Sequence, residues 1–236
     1  MTITTEYSQG LDPGAELPEL DILLGQTTTH LAPIADNVFL HHQVLEPFAR
    51  LQALAAARGI DLAVASGYRG FDRQRLIWNA KARGERPVLD SAGRPLDLAR
   101  LSDRDRVFAI LRWSALPGAS RHHWGTDIDV WDRAAVGPDY PLQLVPAEYA
   151  PGGPFARLGA WLDSDEFAAS GFFRPYREDR GGVAPEPWHL SYRPVADHFA
   201  QGLTRDLLAN IIAHADIALA DTVLAHLDEI FARFIR

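Results

Sequence analysis

An α+β fold is predicted by three features of this chain. Short runs with strand character at 60–65, 127–131 and 188–192 are scattered among helical stretches, without the regular alternation of a parallel sheet. Helix-period segments cover 44–58, 72–83 and 102–116. From residue 195 onward the pattern becomes almost wholly helical. The expected architecture is a small, mainly antiparallel sheet with helices packed to one side. Three parts are expected: an irregular segment over 1–36, one catalytic domain over 37–194, and a helical extension over 195–236.

The first 36 residues are punctuated by Pro13, Gly14, Pro18 and Gly25 and read as irregular. Over 44–58, Val44, Phe48, Leu51 and Ala55 fall on one helical face. Pro47 is tolerable in the first turn, and Gly59 suits the stop. Residues 60–65 (IDLAVA) form a strand ended by the Ser66–Gly67 turn. A second helix spans 72–83 with Asp72 as its N-cap. Gly84, Pro87, Gly93 and Pro95 make 84–101 a loop or a β-hairpin. Ser102-Asp103-Arg104-Asp105 resembles a capping box opening a helix to about Leu116, which Pro117-Gly118 ends.

Residues 127–131 (DIDVW) alternate polar and apolar and read as a half-buried strand, with Asp127 and Asp129 on one face and Ile128 and Val130 on the other. Residues 133–153 carry seven Pro or Gly residues and read as an insertion near a site mouth. Residues 155–167 look helical, Gly181-Gly182 marks a mobile turn, and 188–192 (WHLSY) is a second strand candidate. In the extension, Leu203, Leu207, Ile211, Val223, Leu227, Ile230 and Phe234 recur at helical spacing. A helical pair packed on the core is the favoured reading; a dimerisation element or a lid is the other.

Composition narrows the function. A hydrophobic content of 47% with 23% charged residues is that of an ordinary globular protein, and 236 residues can bury one good core. The net charge of −8 argues against nucleic acid or an anionic membrane as the main partner. Without cysteine there is neither disulfide nor thiolate ligand, so any zinc site must use nitrogen and oxygen donors. The first 25 residues show no basic segment followed by an apolar run, and no stretch of about eighteen apolar residues occurs. A cytoplasmic protein is the expectation.

Residues 120–129 read SRHHWGTDID, and 185–192 read PEPWHLSY. His122, Asp129 and His189 are the expected ligands of a catalytic Zn2+, because three protein ligands leave a fourth position open for water. Glu186 lies three positions before His189, which on a straight strand would aim it at the opposite face. A bend at Pro187 would let Glu186 serve as general base. Single histidines are mostly structural, so His30, His41, His42, His198, His214 and His226 are read as bystanders. His123 is too, although its neighbour makes a swap with His122 conceivable. Asp127 suits a partner for a nearby arginine or for a ligating histidine. Arg69, just past a strand end, carries donors suited to a carboxylate or an oxyanion, or else to a surface ion pair.

These segments carry a resemblance. SRHHWGTDID is similar to the S-x-H-x-x-G-x-x-x-D motif of the VanY-type D-alanyl-D-alanine carboxypeptidases, which group with lysostaphin-type and hedgehog-like zinc proteins. Glu186-Pro187-Trp188-His189 resembles the family's E-x-W-H element. Ser66-Gly67-Tyr68-Arg69, followed by Gln74, resembles its S-G-Y-R-x-x-x-x-Q signature. The likeness spans roughly 40–194, and Asp127 departs from it where many relatives carry a small residue. The resemblance implies a zinc carboxypeptidase that hydrolyses the bond before a C-terminal D-alanine in peptidoglycan-type peptides. It further implies transition-state stabilisation by Arg69 and substrate contacts from Ser120, Tyr68 and Gln74. L,D-carboxypeptidase, D,D-dipeptidase or endolysin-like cleavage, and a non-catalytic zinc-binding module, stay open as alternatives. So does a homodimer formed through the last helices.

Overall fold

A computed structural model describes residues 18–91 and 93–235. The irregular stretch expected over 1–36 holds instead, from its twentieth residue on, a helical turn α1 (Leu20–Leu23) and the strand β1 (Leu31–Ala35); residues 1–17 lie outside the described part. β1 forms a hairpin with β2 (Val38–His41), turning through Asn37 at φ +59°, a left-handed conformation that asparagine tolerates. Pro33 can sit in β1 because a two-stranded ribbon leaves it on an edge beside a bulge.

α2 (Leu45–Ala57) buries Phe48, Leu51 and Ala55, with Gly59 left-handed just beyond its end. β3 (Leu62–Ser66) leads through the 67–70 loop into α3 (Phe71–Ala82). Asp72 lies inside the first turn of α3, and its N-cap is Gly70, which makes no side-chain cap. Ser102 caps α4 (Asp103–Leu111), accepting from Asp105 N, but this helix stops short of the expected Leu116. Arg112 bonds the 179–184 loop where the next turn would begin.

β4 (Asp127–Asp132) is followed by α5 (Pro146–Tyr149), α6 (Ala156–Trp161), α7 (Asp165–Ala168) and β5 (Phe172–Phe173). The single helix expected over 155–167 is broken because Ser164 starts a new cap, accepting from Phe167 N. β6 (His189–Tyr192) precedes α8 (Arg193–Gly202), α9 (Arg205–His214), α10 (Ala220–Ala225), α11 (Leu227–Ile230) and a π-type turn, Phe231–Ile235. The extension is thus more than a helical pair. Among the described residues no helix is long and apolar enough to cross a membrane.

The main sheet is antiparallel throughout, in the order β3-β4-β6-β5. Ile128, Val130 and Leu190 point from it into one core with Phe48, Leu51, Phe155 and Leu158. A second core joins α1, α3 and α4 to α8–α11 through Trp78, Val107, Ile110, Leu208, Ile212 and Ile230. Five of the six β4 residues are buried, so this strand is enclosed on both faces and not half-buried as its alternation suggests. The polar face of β4 looks into the cleft between the two cores.

Candidate active site

Strand register brings the first pair of side chains together. Asp129 on β4 stands opposite His189 on β6, and Asp127 opposite Ser191. Directly opposed residues share a face with Cβ atoms about 4.5–5.5 Å apart. The alternation of β4 therefore delivers two acids to the cleft side and two aliphatic residues to the core.

His122 arrives from the short 3₁₀ turn Arg121–Trp124, which ends at Gly125 with φ +68°. A Cβ at Gly125 would fall 2.7 Å from His41 N, so the β2 backbone and the left-handed φ both demand glycine. The turn is laced to the 67–70 loop: His122 Nδ1 meets Gly67 O at 2.8 Å, and Arg69 N donates to His122 O at 3.0 Å.

One ligand atom each from His122, Asp129 and His189 lies within 4.8 Å of the others, and among the described residues this is the one such cluster. The donors suit a divalent ion. A proton on His122 Nδ1, given to Gly67 O, leaves Nε2 as a lone pair, 3.4 Å from Asp129 Oδ2. A proton on His189 Nε2, given to Asp127 Oδ1 at 2.9 Å, leaves Nδ1 facing Asp129 Oδ1 at 3.6 Å. Asp129 Oδ1 is buried with no hydrogen-bond partner, which is costly for an ionised carboxylate unless a cation meets it.

Electrostatics agree with that demand for positive charge. Burial disfavours the imidazolium of His189, but hydrogen bonds to Asp127 and Glu186 and the charge of Asp129 prevail and raise its pKa to about 10. Burial likewise opposes ionisation of Asp127; Arg121 and His189 outweigh it and hold the carboxylate well below its usual range. Asp129 is lowered for the same kind of reason, by His122, His189 and Arg69 against its burial.

Glu186 Oε2 lies 3.1 Å from His189 Nδ1, on the cleft side. The bend at Pro187 is a turn in which His189 N donates to Glu186 O, and it swings the carboxylate onto the same side as the imidazole. Arg69 also lines the cleft. Burial lowers the pKa of its guanidinium, while Asp129 and Glu186 support the charge.

The remaining sequence-predicted residues divide. Ser120 is buried and lines the cleft. Tyr68 and Gln74 do not line it. The Tyr68 hydroxyl donates to the Gly25 and Thr27 carbonyls, away from the site. Gln74 is buried beneath Arg69, accepting from its Nη1 at 3.0 Å and donating to Ala115 O at 2.7 Å. His123 cannot exchange roles with His122. Both its ring nitrogens are engaged by backbone, Arg69 O at 2.6 Å and Gly118 N at 3.1 Å, and burial lowers its pKa to about 4.

Sequence reasoning missed Arg121. Its Nε donates to Asp127 at 2.8 Å and its Nη2 to Ser191 at 2.7 Å, and it too lines the cleft. The available hint was the presence, six residues after it, of the acid that departs from the family pattern. It missed Lys81 as well, the chain's one lysine beside 22 arginines. Lys81 Nζ donates to Ser114 Oγ at 2.7 Å, and burial brings its pKa down to about 8.

The cleft has a volume of about 690 Å3. Residues 37–195, more than half of the chain, match the profile of VanY, D-alanyl-D-alanine carboxypeptidase. The chain belongs to the VanY family. Two uncharacterised proteins of Haemophilus influenzae are similar to it. One is 46% identical over 100 residues, covering 41% of this chain and 68% of the relative; the other is 34% identical over 122 residues, covering 51% and 92%. Among solved structures, a mutant of the vancomycin resistance D,D-pentapeptidase VanY from a VanB-type cassette, in complex with Zn(II), has a TM-score of 0.50 at 22% identity, covering 84% of this chain and 92% of that one. VanYB in complex with D-alanine-D-alanine has a TM-score of 0.51 at 22% identity, covering 80% and 92%. At such identity these two likenesses show the fold alone, that of a VanY-type peptidase.

Proposed function

We propose that this VanY-family protein is a zinc-dependent carboxypeptidase that hydrolyses the peptide bond before a C-terminal D-alanine in peptidoglycan-type peptides. The observation that carries the reading is the convergence, in one cleft, of His122, Asp129 and His189 with the carboxylate of Glu186 beside His189 and the guanidinium of Arg69. The Zn(II) and D-alanine-D-alanine complexes of the two similar structures support the choice of metal and substrate class.

His122, Asp129 and His189 would hold the ion, which when bound polarises a carbonyl and lowers the pKa of water. Glu186 accepts a proton from the attacking water and returns it to the departing amine, a general acid–base exchange worth roughly 10²–10⁴ in rate. Arg69 turns its donors to the developing oxyanion. Ser120, with Arg121 beside it, meets the terminal carboxylate of the substrate. Asp127 keeps His189 in the tautomer whose Nδ1 faces the ion and neutralises Arg121.

The test is a panel of peptides differing only in the configuration of the last two residues, read by mass spectrometry with and without a chelator. Release of D-alanine that chelation stops and zinc restores is expected. Release of a dipeptide, or a cut after an L residue, would reassign the specificity. Turnover that a chelator leaves untouched would end the metal-dependent reading.

A further inference from the structure

The extension beyond residue 195 lies outside the family match, yet it reaches the cleft. Phe234 and Ile235, both half-buried, line the same cavity as Arg69, His122, Asp129, Glu186 and His189. The turn that carries them is fastened in place. Arg233 donates to Gly181 O from Nη2 at 2.7 Å and Nε at 3.2 Å, and it pairs with Glu229, which also takes Arg104 at 3.0 Å. The Phe234 ring meets Phe108 edge-on, with centroids 5.8 Å apart.

The partner of this turn is the 179–184 loop, which runs directly into Glu186. A Cβ at Gly182 would lie 1.9 Å from Arg233 O, so only glycine allows the two backbones to touch. Arg112 holds the loop from the other side, bonding Asp179 and Gly182 O, while Ala184 N returns a bond to Arg112 O. The turn expected to be mobile at Gly181-Gly182 is therefore pinned from two directions.

The cleft thus has a cationic, hydrogen-bonding part, formed by Arg69, Arg121 and Ser120, and an apolar part, to which Phe234 and Ile235 contribute. Leu89, Ser91, Gly93 and residues 143–147 supply other walls, so the space is partly enclosed. Its volume falls within the roughly 300–1,000 Å3 of clefts that enclose small ligands. A partly enclosed cleft of this size suits the end of a linear peptide, and each added wall leaves less room for a second chain.

We propose that the turn Phe231–Ile235 is a specificity wall of this cleft, through which Phe234 and Ile235 restrict the substrate to short, unbranched peptide ends. This rests on the peptidase reading above. The experiment compares a linear pentapeptide ending in D-alanyl-D-alanine with the same peptide carrying a second peptide on its central side-chain amine. Both are assayed with the zinc-loaded full chain and with its Phe234→Ala, Ile235→Ala and Ile235→Trp variants, whose melting temperature and bound zinc are also measured.

The unsubstituted protein is expected to favour the linear peptide at least tenfold in kcat/KM. Either alanine variant should narrow that preference about tenfold, and Ile235→Trp should lower turnover of the pentapeptide more than that of a D-alanyl-D-alanine dipeptide. Ile235 is half-buried, so its variants keep the test alive if loss of the Phe108 contact unfolds Phe234→Ala. Equal cleavage of both peptides by the unsubstituted protein overturns the wall and leaves the peptidase standing. So does a ratio unmoved within twofold in every variant that retains its fold and zinc. If the unsubstituted protein cleaves no peptide, the peptidase reading itself fails and the wall falls with it.

Discussion

His189 donates from Nε2 to Asp127 Oδ1 across 2.9 Å, and its cross-strand partner is Asp129, two positions farther along the same face of β4. One strand therefore supplies both an acid for the metal cluster and the acid that orients the imidazole opposite. Asp127→Asn keeps an acceptor but removes the charge that balances His189 and Arg121. Zinc affinity should fall about 10–100-fold, the usual cost of losing such an orienting carboxylate. Titration against a competing chelator measures it, and an unchanged affinity would show that Asp127 serves Arg121 alone.

Glu186 is the residue whose substitution should separate catalysis from metal binding. Its carboxylate lies 3.1 Å from His189 Nδ1 but outside the three-residue cluster. Glu186→Gln should lower kcat by about 10²–10⁴ while zinc binds with its original stoichiometry. Loss of the metal together with the activity would make Glu186 a ligand and not a base.

Gln74 is hydrogen-bonded to Arg69 and is expected to act through it. It accepts from Arg69 Nη1, Ser66 Oγ accepts from Nη2 at 3.3 Å, and Gln74 Nε2 is tied to Ala115 O. Gln74→Leu removes a hydrogen bond to a charged group, worth about 1.5–3 kcal/mol. If that support is spent on orienting the guanidinium for the transition state, kcat falls roughly 10–100-fold with KM and zinc affinity nearly constant. A rise in KM alone would place Arg69 on the ground-state peptide.

What could be read from the chain follows from the range of the forces involved. The period-two pattern of 127–131 is local, so the cleft face of β4 is legible. So are the helical faces of α2 and of the extension. The pairing of Asp129 with His189 is a matter of register between strands sixty residues apart, and only the spacing of the motifs points to it. Tyr68 and Gln74 belong to a motif but do not line the cleft, a placement set by packing. Asp72 is a plausible cap that the backbone bypasses in favour of Gly70. Phe234 carries a helical-period signal, and nothing in that signal reveals that the π-type turn delivers it to the cleft.

Lys81 offers a pH signature free of ambiguity, because no other lysine is present. Burial, with lesser effects from Arg86 and Arg69 and against the attraction of Glu186, lowers its pKa from 10.5 to about 8. Between those values the unfolded chain holds a proton that the folded one has released. This group therefore makes unfolding costlier as pH rises from about 8 to 10.5, and below that window its burial is a constant penalty of roughly 3 kcal/mol. An NMR titration of the labelled lysine ε-carbon should give a single midpoint near pH 8. Lys81→Met should flatten the slope of stability against pH in that window. A midpoint above pH 10 would mean that Lys81 is solvated.

Gly125 ties the ligand turn to the hairpin. At φ +68° a residue with a side chain pays about 1–2 kcal/mol for the left-handed conformation alone. Its Cβ would also press within 2.7 Å of both His41 N and Leu31 Cδ2. The same glycine accepts from His41 N at 2.8 Å, so the backbone cannot back away without giving up that bond. Gly125→Ala should thus destabilise the fold by about 2 kcal/mol or more, and it should weaken zinc binding by moving His122, three residues earlier. Urea unfolding of the metal-free protein isolates the first effect, and titration of the refolded variant isolates the second. Unaltered stability would show that the β2 backbone yields to the methyl group, and that the hairpin is not what holds His122 in place.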